Sequence, residues 1–126
     1  MNKQTISTTN APAAIGPYSQ GVKIGNLIFT SGQLPMDPQS GELVADIEGA
    51  TKQSLDNVKA ILESAGSSMN KIVKIVVFLR DMNDFVAMNT VYATYFPSNP
   101  PARSAVQVAR LPKDAILEIE AIALSS

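Results

Sequence analysis

Apolar and polar positions alternate along this chain with two different periods, and the switches between them predict its elements. Between 21 and 31, Val22-Lys23-Ile24 and Leu27-Ile28-Phe29-Thr30 flank Gly25-Asn26. That central pair readily adopts the positive φ angles of a tight turn, so the stretch reads as a hairpin. The segment 32–41 carries Pro35, Pro38 and Ser40-Gly41 and reads as loop. A helix is predicted over roughly 47–65. Leu55, Val58, Leu62 and Ala65 recur at spacings of three, four and three, with Ile61 widening the stripe. Lys52, Asp56, Lys59 and Glu63 fall on the opposite side. Asp46 suits the N-cap, and Gly66 suits a left-handed stop.

The run 71–80 is dense in β-branched residues and reads as a strand. Strict alternation puts Val73, Ile75, Val77 and Leu79 on one face and Ile72, Lys74, Val76 and Phe78 on the other. Both faces are largely apolar, so both are expected to be covered. A second helix is predicted over about 83–96, with Phe85, Met88, Tyr92 and Tyr95 at three, four and three. Pro97 ends it, and 98–101 is a short stiff loop. Strands over 103–108 and 116–124, joined through Leu111-Pro112-Lys113-Asp114, close the chain. This order predicts one α+β domain over 1–126, a sandwich with two helices on one face of a sheet. The other face would be apolar and bare in a monomer, which predicts a homo-oligomer.

Composition narrows the chemistry. A chain of 126 residues buries roughly two-thirds of the surface its unfolded form exposes, and 45% of these residues are hydrophobic. Ten basic and eleven acidic side chains give a net charge of -1, without a basic patch in sequence. That argues against a nucleic acid as main partner. Cysteine and histidine are both absent. Disulfides, thiolate nucleophiles, imidazole bases and nearly all soft metal sites go with them, which leaves Asp, Glu, Lys, Arg, Tyr, Ser, Thr and backbone groups to carry any chemistry. The first residues lack the apolar core of a signal peptide, and no stretch reaches the ~20 apolar residues of a membrane span. A cytoplasmic location is the expectation.

With so few reactive groups left, Arg103, Glu118 and Glu120 stand out. Arg103 opens a strand after Pro100-Pro101-Ala102, and a guanidinium grips a carboxylate through two parallel hydrogen bonds. Alternation puts Arg103, Ala105 and Gln107 on one face of their strand. It likewise sets Glu118 and Glu120 together, with Leu117, Ile119 and Ala121 opposite. Two carboxylates in an otherwise apolar strand either pair with Lys or Arg across the sheet or an interface, or handle a water as general acid and base. Ser19 and Ser31 lack a partner base in sequence and read as turn residues. Tyr18 either closes a pocket or simply packs. Tyr92 and Tyr95 read as core. Asn89, beside the stripe, either bonds a loop or lines a pocket. Asp81 and Asp84 flank a helix start, where carboxylates suit the dipole.

Several uninterrupted motifs then carry a resemblance: APAAIGPYSQG (11–21), TSGQLP (30–35), QSLDNVKAILESAG (53–66), VVFLRDMNDF (76–85), PARSAVQVARLPKDA (101–115) and LEIEAIAL (117–124). Over nearly its whole length the chain resembles the RidA (YjgF) family of reactive intermediate deaminases. The resemblance implies a chorismate-mutase-like two-layer sandwich, a six-stranded mixed sheet with two helices on one face. It also implies a homotrimer, its sheets forming a central barrel and its active sites lying in clefts between subunits. Arg103 would bind the substrate carboxylate and Glu118 would orient the hydrolytic water. Tyr18, Ser31, Gly32, Ala105 and Asn89 would line the substrate site.

The chain departs from the family pattern in one place of consequence, reading Arg103-Ser104-Ala105 where many relatives carry cysteine at the third position. A backbone role there is compatible with alanine. The connection before Arg103 is also shorter than in some relatives. The implied reaction hydrolyses 2-iminopropanoate or 2-iminobutanoate, released by dehydratases acting on serine or threonine, to 2-oxo acids and ammonia without a cofactor. The rival expectations are a 2-oxo acid-binding regulator without turnover, a ribonuclease or translation inhibitor, and a chaperone-like holdase.

Overall fold

A computed structural model describes residues 2–126. Its six-stranded mixed sheet has the order β1 (Gln4–Ile6), β2 (Gly21–Ile24), β3 (Leu27–Thr30), β6 (Leu117–Leu124), β4 (Ile72–Leu79), β5 (Ala102–Gln107). Helices α1 (Ile47–Ser64) and α2 (Phe85–Tyr95) cover one face. The expected α+β sandwich with both helices on one side is the architecture found.

The hairpin turns at Gly25, with φ +56°, while Asn26 stays outside the positive-φ region, so glycine alone supplies the left-handed residue expected of the pair. In α1 the Asp46 carboxylate accepts from the Gly49 amide at 2.8 Å, and Gly66 leaves the helix at φ +84°. Leu55, Val58, Ile61 and Leu62 of its inner stripe are fully buried against the sheet. Asn57 is buried among them, and its amide donates to the carbonyls of Leu34 (3.1 Å) and Met36 (2.9 Å). The loop after β3 is thereby pinned to the helix. A 3-10 turn, Met82–Asp84, occupies the predicted start of the second helix, so α2 proper begins at Phe85.

Strand β6 alternates as expected: Leu117, Ile119, Ala121 and Ala123 are buried, while Glu118, Glu120 and Ile122 are half-buried on the far side. Strand β4 departs from strict alternation. A register shift between Ile72 and Lys74 against β6 buries Ile72 and leaves Val73 exposed, reversing the faces predicted for these two. Strand β1 was not expected from sequence. The two closing strands are not neighbours either. β5 runs parallel to β4 at the sheet edge, with α2 as the crossover, and β6 lies between β3 and β4.

Register decides what each face carries. Arg103 pairs with Ile75 and Ile75 with Ala121, so Arg103, Ala105 and Gln107 point to the helix side. Glu118 pairs with Phe78 and Glu120 with Val76, so both carboxylates point to the uncovered side. That side also presents Phe29, Val106 and Leu124, exposed to 39%, 43% and 43%.

Candidate active site

Arg103 follows the rigid Pro100-Pro101 pair at the start of the edge strand, where it reaches over α2. Its guanidinium carbon lies 4.7 Å from the centre of the Tyr92 ring and 5.4 Å from that of Phe85. Nη1 donates to Asn89 Oδ1 at 2.6 Å. Among the described residues the only ion pairs are Lys52–Asp56 and Arg110–Asp114, so no carboxylate neutralises Arg103. A guanidinium carries five N–H donors, and Asn89 takes one of them. The group borders an open cavity of about 390 Å³ with Asn89, Tyr92, Phe96, Pro100 and Pro101. A free cation held by neutral partners beside a cavity has the donors to meet an anion with two acceptor oxygens.

Ala105 presents its main chain at the edge of the sheet. The Val108 amide donates to Leu79 O at 3.0 Å. In a parallel ladder only alternate residues bond the neighbour, so Ser104 and Val106 also turn toward β4. The N–H and C=O of Arg103, Ala105 and Gln107 face the open edge, since β5 has no strand beyond it.

The second group of candidates lies on the other side of the sheet, where β6 begins. A cavity of about 470 Å³ is lined by Tyr18, Ser31, Gly32, Gln33, Lys113 and Glu118, with the apolar side chains of Ile15, Leu34 and Met36. The Ser31 hydroxyl donates to Ser19 O at 2.6 Å, which ties the strand end to the Gly16–Gln20 loop. Gln20 fastens that loop from below: buried, its amide donates to the carbonyls of Thr8, Ala11 and Pro12 and accepts from the Thr8 amide. Gln33 and Ile119 exchange two backbone hydrogen bonds of 2.8 and 3.1 Å, pressing Gly32 against the Glu118 side chain. A Cβ at Gly32 would stand 2.7 Å from Glu118 Cδ. Lys113 and Asp114 hold φ angles of +57° and +53°, and Arg80 Nη1 secures the turn by donating to Asp114 O at 2.8 Å. Two consecutive non-glycine residues in the left-handed region carry strain, here in the wall of the cavity.

Glu118 is half-buried, and among the described residues no cation lies within ion-pair distance of it or of Glu120. Burial first, and then the negative charge of Glu120, raise the Glu118 pKa above the ordinary carboxylate range. A carboxyl poised in this way takes and returns a proton more readily near neutral pH than a solvated one. The shift also acts on stability. In the folded state the raised pKa disfavours the ionised form, so Glu118 opposes folding above its unfolded pKa, and the penalty vanishes as pH falls below that value. We expect Glu118→Gln to raise the unfolding midpoint at pH 7, with the difference shrinking toward pH 4; urea melts at both values check it.

Within one chain the two groups do not meet. Their cavities share no residue, and Arg103 and Glu118 leave opposite faces of the sheet. Sequence reasoning also passed over two contributors, since Phe85 and Tyr92 read as packing residues. Their signal was present: Phe85, Asn89 and Tyr92 are spaced at i, i+4 and i+7, one helical stripe with an amide between two aromatics. No helix among the described residues is long and apolar enough to cross a membrane.

Residues 8–125 match the family model described as endoribonuclease L-PSP. The chain belongs to this family. The RidA (YjgF) resemblance of its motifs is one of membership. It is 56% identical over 124 residues to the 2-iminobutanoate/2-iminopropanoate deaminase of Escherichia coli K12, covering 96% of this chain and 97% of that relative. A RutC family protein of Pyrococcus horikoshii is 58% identical over 122 residues, covering 96% and 97%. Among solved structures, E. coli TdcF with bound serine superposes with a TM-score of 0.94 at 53% identity, covering 98% of this chain and 99% of that one.

Proposed function

We propose that this protein is a 2-imino acid deaminase whose active site is completed between copies of the chain in a homotrimer, working in the cytoplasm. The observation that carries the reading is Arg103, an uncompensated guanidinium beside a cavity, while Glu118, a carboxyl whose pKa is raised by burial, sits across the sheet. Packing the uncovered face and open β5 edge of one copy against another would bury Phe29, Val106 and Leu124. It would also bring one copy's Arg103 toward its neighbour's Glu118. The names of relatives at 53–56% identity support the same reaction.

In this reading Arg103 takes the substrate carboxylate in two hydrogen bonds, and the Ala105 backbone fixes the imine beside it. Glu118 accepts a proton from a water as the water oxygen bonds to the C2 carbon, and returns it to the imine nitrogen to give the neutral carbinolamine. It then relays the hydroxyl proton to the amino group, which leaves as ammonia. The C–N bond breaks, and the hydroxyl becomes the carbonyl of the 2-oxo acid. The substrate is already electrophilic, so holding water and carbon in line and relaying protons suffices. Tyr18, Ser31 and Gly32 shape the wall around that water. The test couples a serine or threonine dehydratase to this protein and times ammonia release. Faster release than from the dehydratase alone is the expected result. Binding of 2-oxo acid without acceleration would instead make the protein a regulator.

A further inference from the structure

Arg103 is held unusually for a half-buried cation. One side-chain hydrogen bond, from Nη1 to the neutral Asn89 amide, is its only one, and no carboxylate stands within reach among the described residues. Its remaining contacts on α2 are aromatic, the Tyr92 ring at 4.7 Å and the Phe85 ring at 5.4 Å. Tyr92 is 5% exposed, and its hydroxyl is buried with no hydrogen-bond partner. A buried, unsatisfied hydroxyl is a cost, so the residue is not explained by its oxygen. Burial raises the Tyr92 pKa against the opposing pull of Arg103, so the ring stays neutral and its face stays an attractor of cations.

We propose that Tyr92, with Phe85 beside it, is a positioning residue for substrate binding: its ring face holds the Arg103 guanidinium in place and sets the direction in which it meets a carboxylate. The proposal rests on the deaminase reading and deepens it. A carboxylate partner would fix the same side chain but cancel its charge. Aromatic faces and a single neutral amide fix it and leave the charge and the other donors to the ligand. The aromatic support thus makes the site selective for ligands with an unshielded carboxylate.

The experiment titrates 2-oxobutanoate, a stable product analogue, into the wild type and into Tyr92→Leu, Tyr92→Phe and Arg103→Ala, by calorimetry. The ammonia assay and a thermal melt run beside it. Removing the ring face should weaken Kd about 3- to 30-fold, the range that cation–π support spans. The stoichiometry should not fall, whereas a merely structural defect would lower the bound fraction and leave Kd alone. Phenylalanine should rescue what leucine loses, with a melt no lower than wild type, because the unpaired hydroxyl has gone. An unaltered Kd in Tyr92→Leu, or a Tyr92→Phe variant as weak as Tyr92→Leu, overturns the proposal. If Tyr92→Leu does not fold, Phe85→Leu carries the same test, with a smaller weakening expected and an unaltered Kd contradicting it. If the wild type does not accelerate ammonia release, the deaminase reading itself fails. If Arg103→Ala still binds and turns over, Arg103 is not the carboxylate receptor and this inference falls with it; if Arg103→Ala is dead while Tyr92→Leu binds normally, only this inference does.

Discussion

Arg103→Ala is expected to cripple imine hydrolysis and to leave the folded chain intact. Removing one partner of a desolvated, hydrogen-bonded charge pair costs about 2–5 kcal/mol, which corresponds to a fall in kcat/KM of roughly 30- to 5,000-fold. The fold tolerates the change because Arg103 sits on an edge strand and makes no ion pair; Asn89 loses a hydrogen-bond partner, and Tyr92 and Phe85 lose the cation over their rings. Arg103→Lys should fall between the two, since an ammonium keeps the charge but neither the planar fork nor the stacking on Tyr92. The dehydratase-coupled ammonia assay, with circular dichroism on the same samples, checks both. Near-wild-type turnover by the alanine variant would remove Arg103 from the mechanism.

Gly32→Ala should damage catalysis while sparing stability. Gly32 is not in the left-handed region, so space and not backbone conformation requires glycine there. The added methyl would stand 2.7 Å from Cδ and 2.9 Å from Oε2 of Glu118. That contact is with the free end of a flexible side chain, which can swing aside at little cost to the fold. The carboxyl then no longer addresses the water, and a displacement of about 1 Å in a reacting group costs on the order of 100-fold in rate. We expect kcat to fall by that factor, the Kd for 2-oxobutanoate to hold and the melt to shift by only a few degrees. A drop in melting temperature that accounts for the whole loss would mean that Gly32 matters for packing alone.

The particular elements show where sequence was enough. Strand β6 was readable because four small or aliphatic residues alternate with Glu118, Glu120 and Ile122 over eight positions. Strand β4 was readable in extent but not in phase at its start, since nothing in Ile72-Val73-Lys74 announces a one-residue shift against its partner. Three residues are too few for β1 to show a period; its existence depends on pairing with β2. The parallel β4–β5 pair could have been anticipated from the helix between the two strands, which is the usual crossover.

The candidate site was legible as a set of residues and illegible as a place. Alternation grouped Arg103 with Ala105 and Glu118 with Glu120, but their relative sides depend on registers across β5, β4 and β6 that no local pattern encodes. Likewise the Phe85–Tyr92 spacing reveals a helical stripe without revealing that part of it rests on a cation.

The opposite-face geometry leads to the most direct measurement. Arg103→Ala and Glu118→Ala, each inactive alone, are mixed in equal amounts, unfolded and refolded together. If every site takes its guanidinium from one copy and its carboxyl from another, random assortment leaves roughly a quarter of the sites with both groups intact, and about that share of wild-type activity returns. A mixture as inactive as its parents, with mixed oligomers verified by native mass spectrometry, would contradict the shared site.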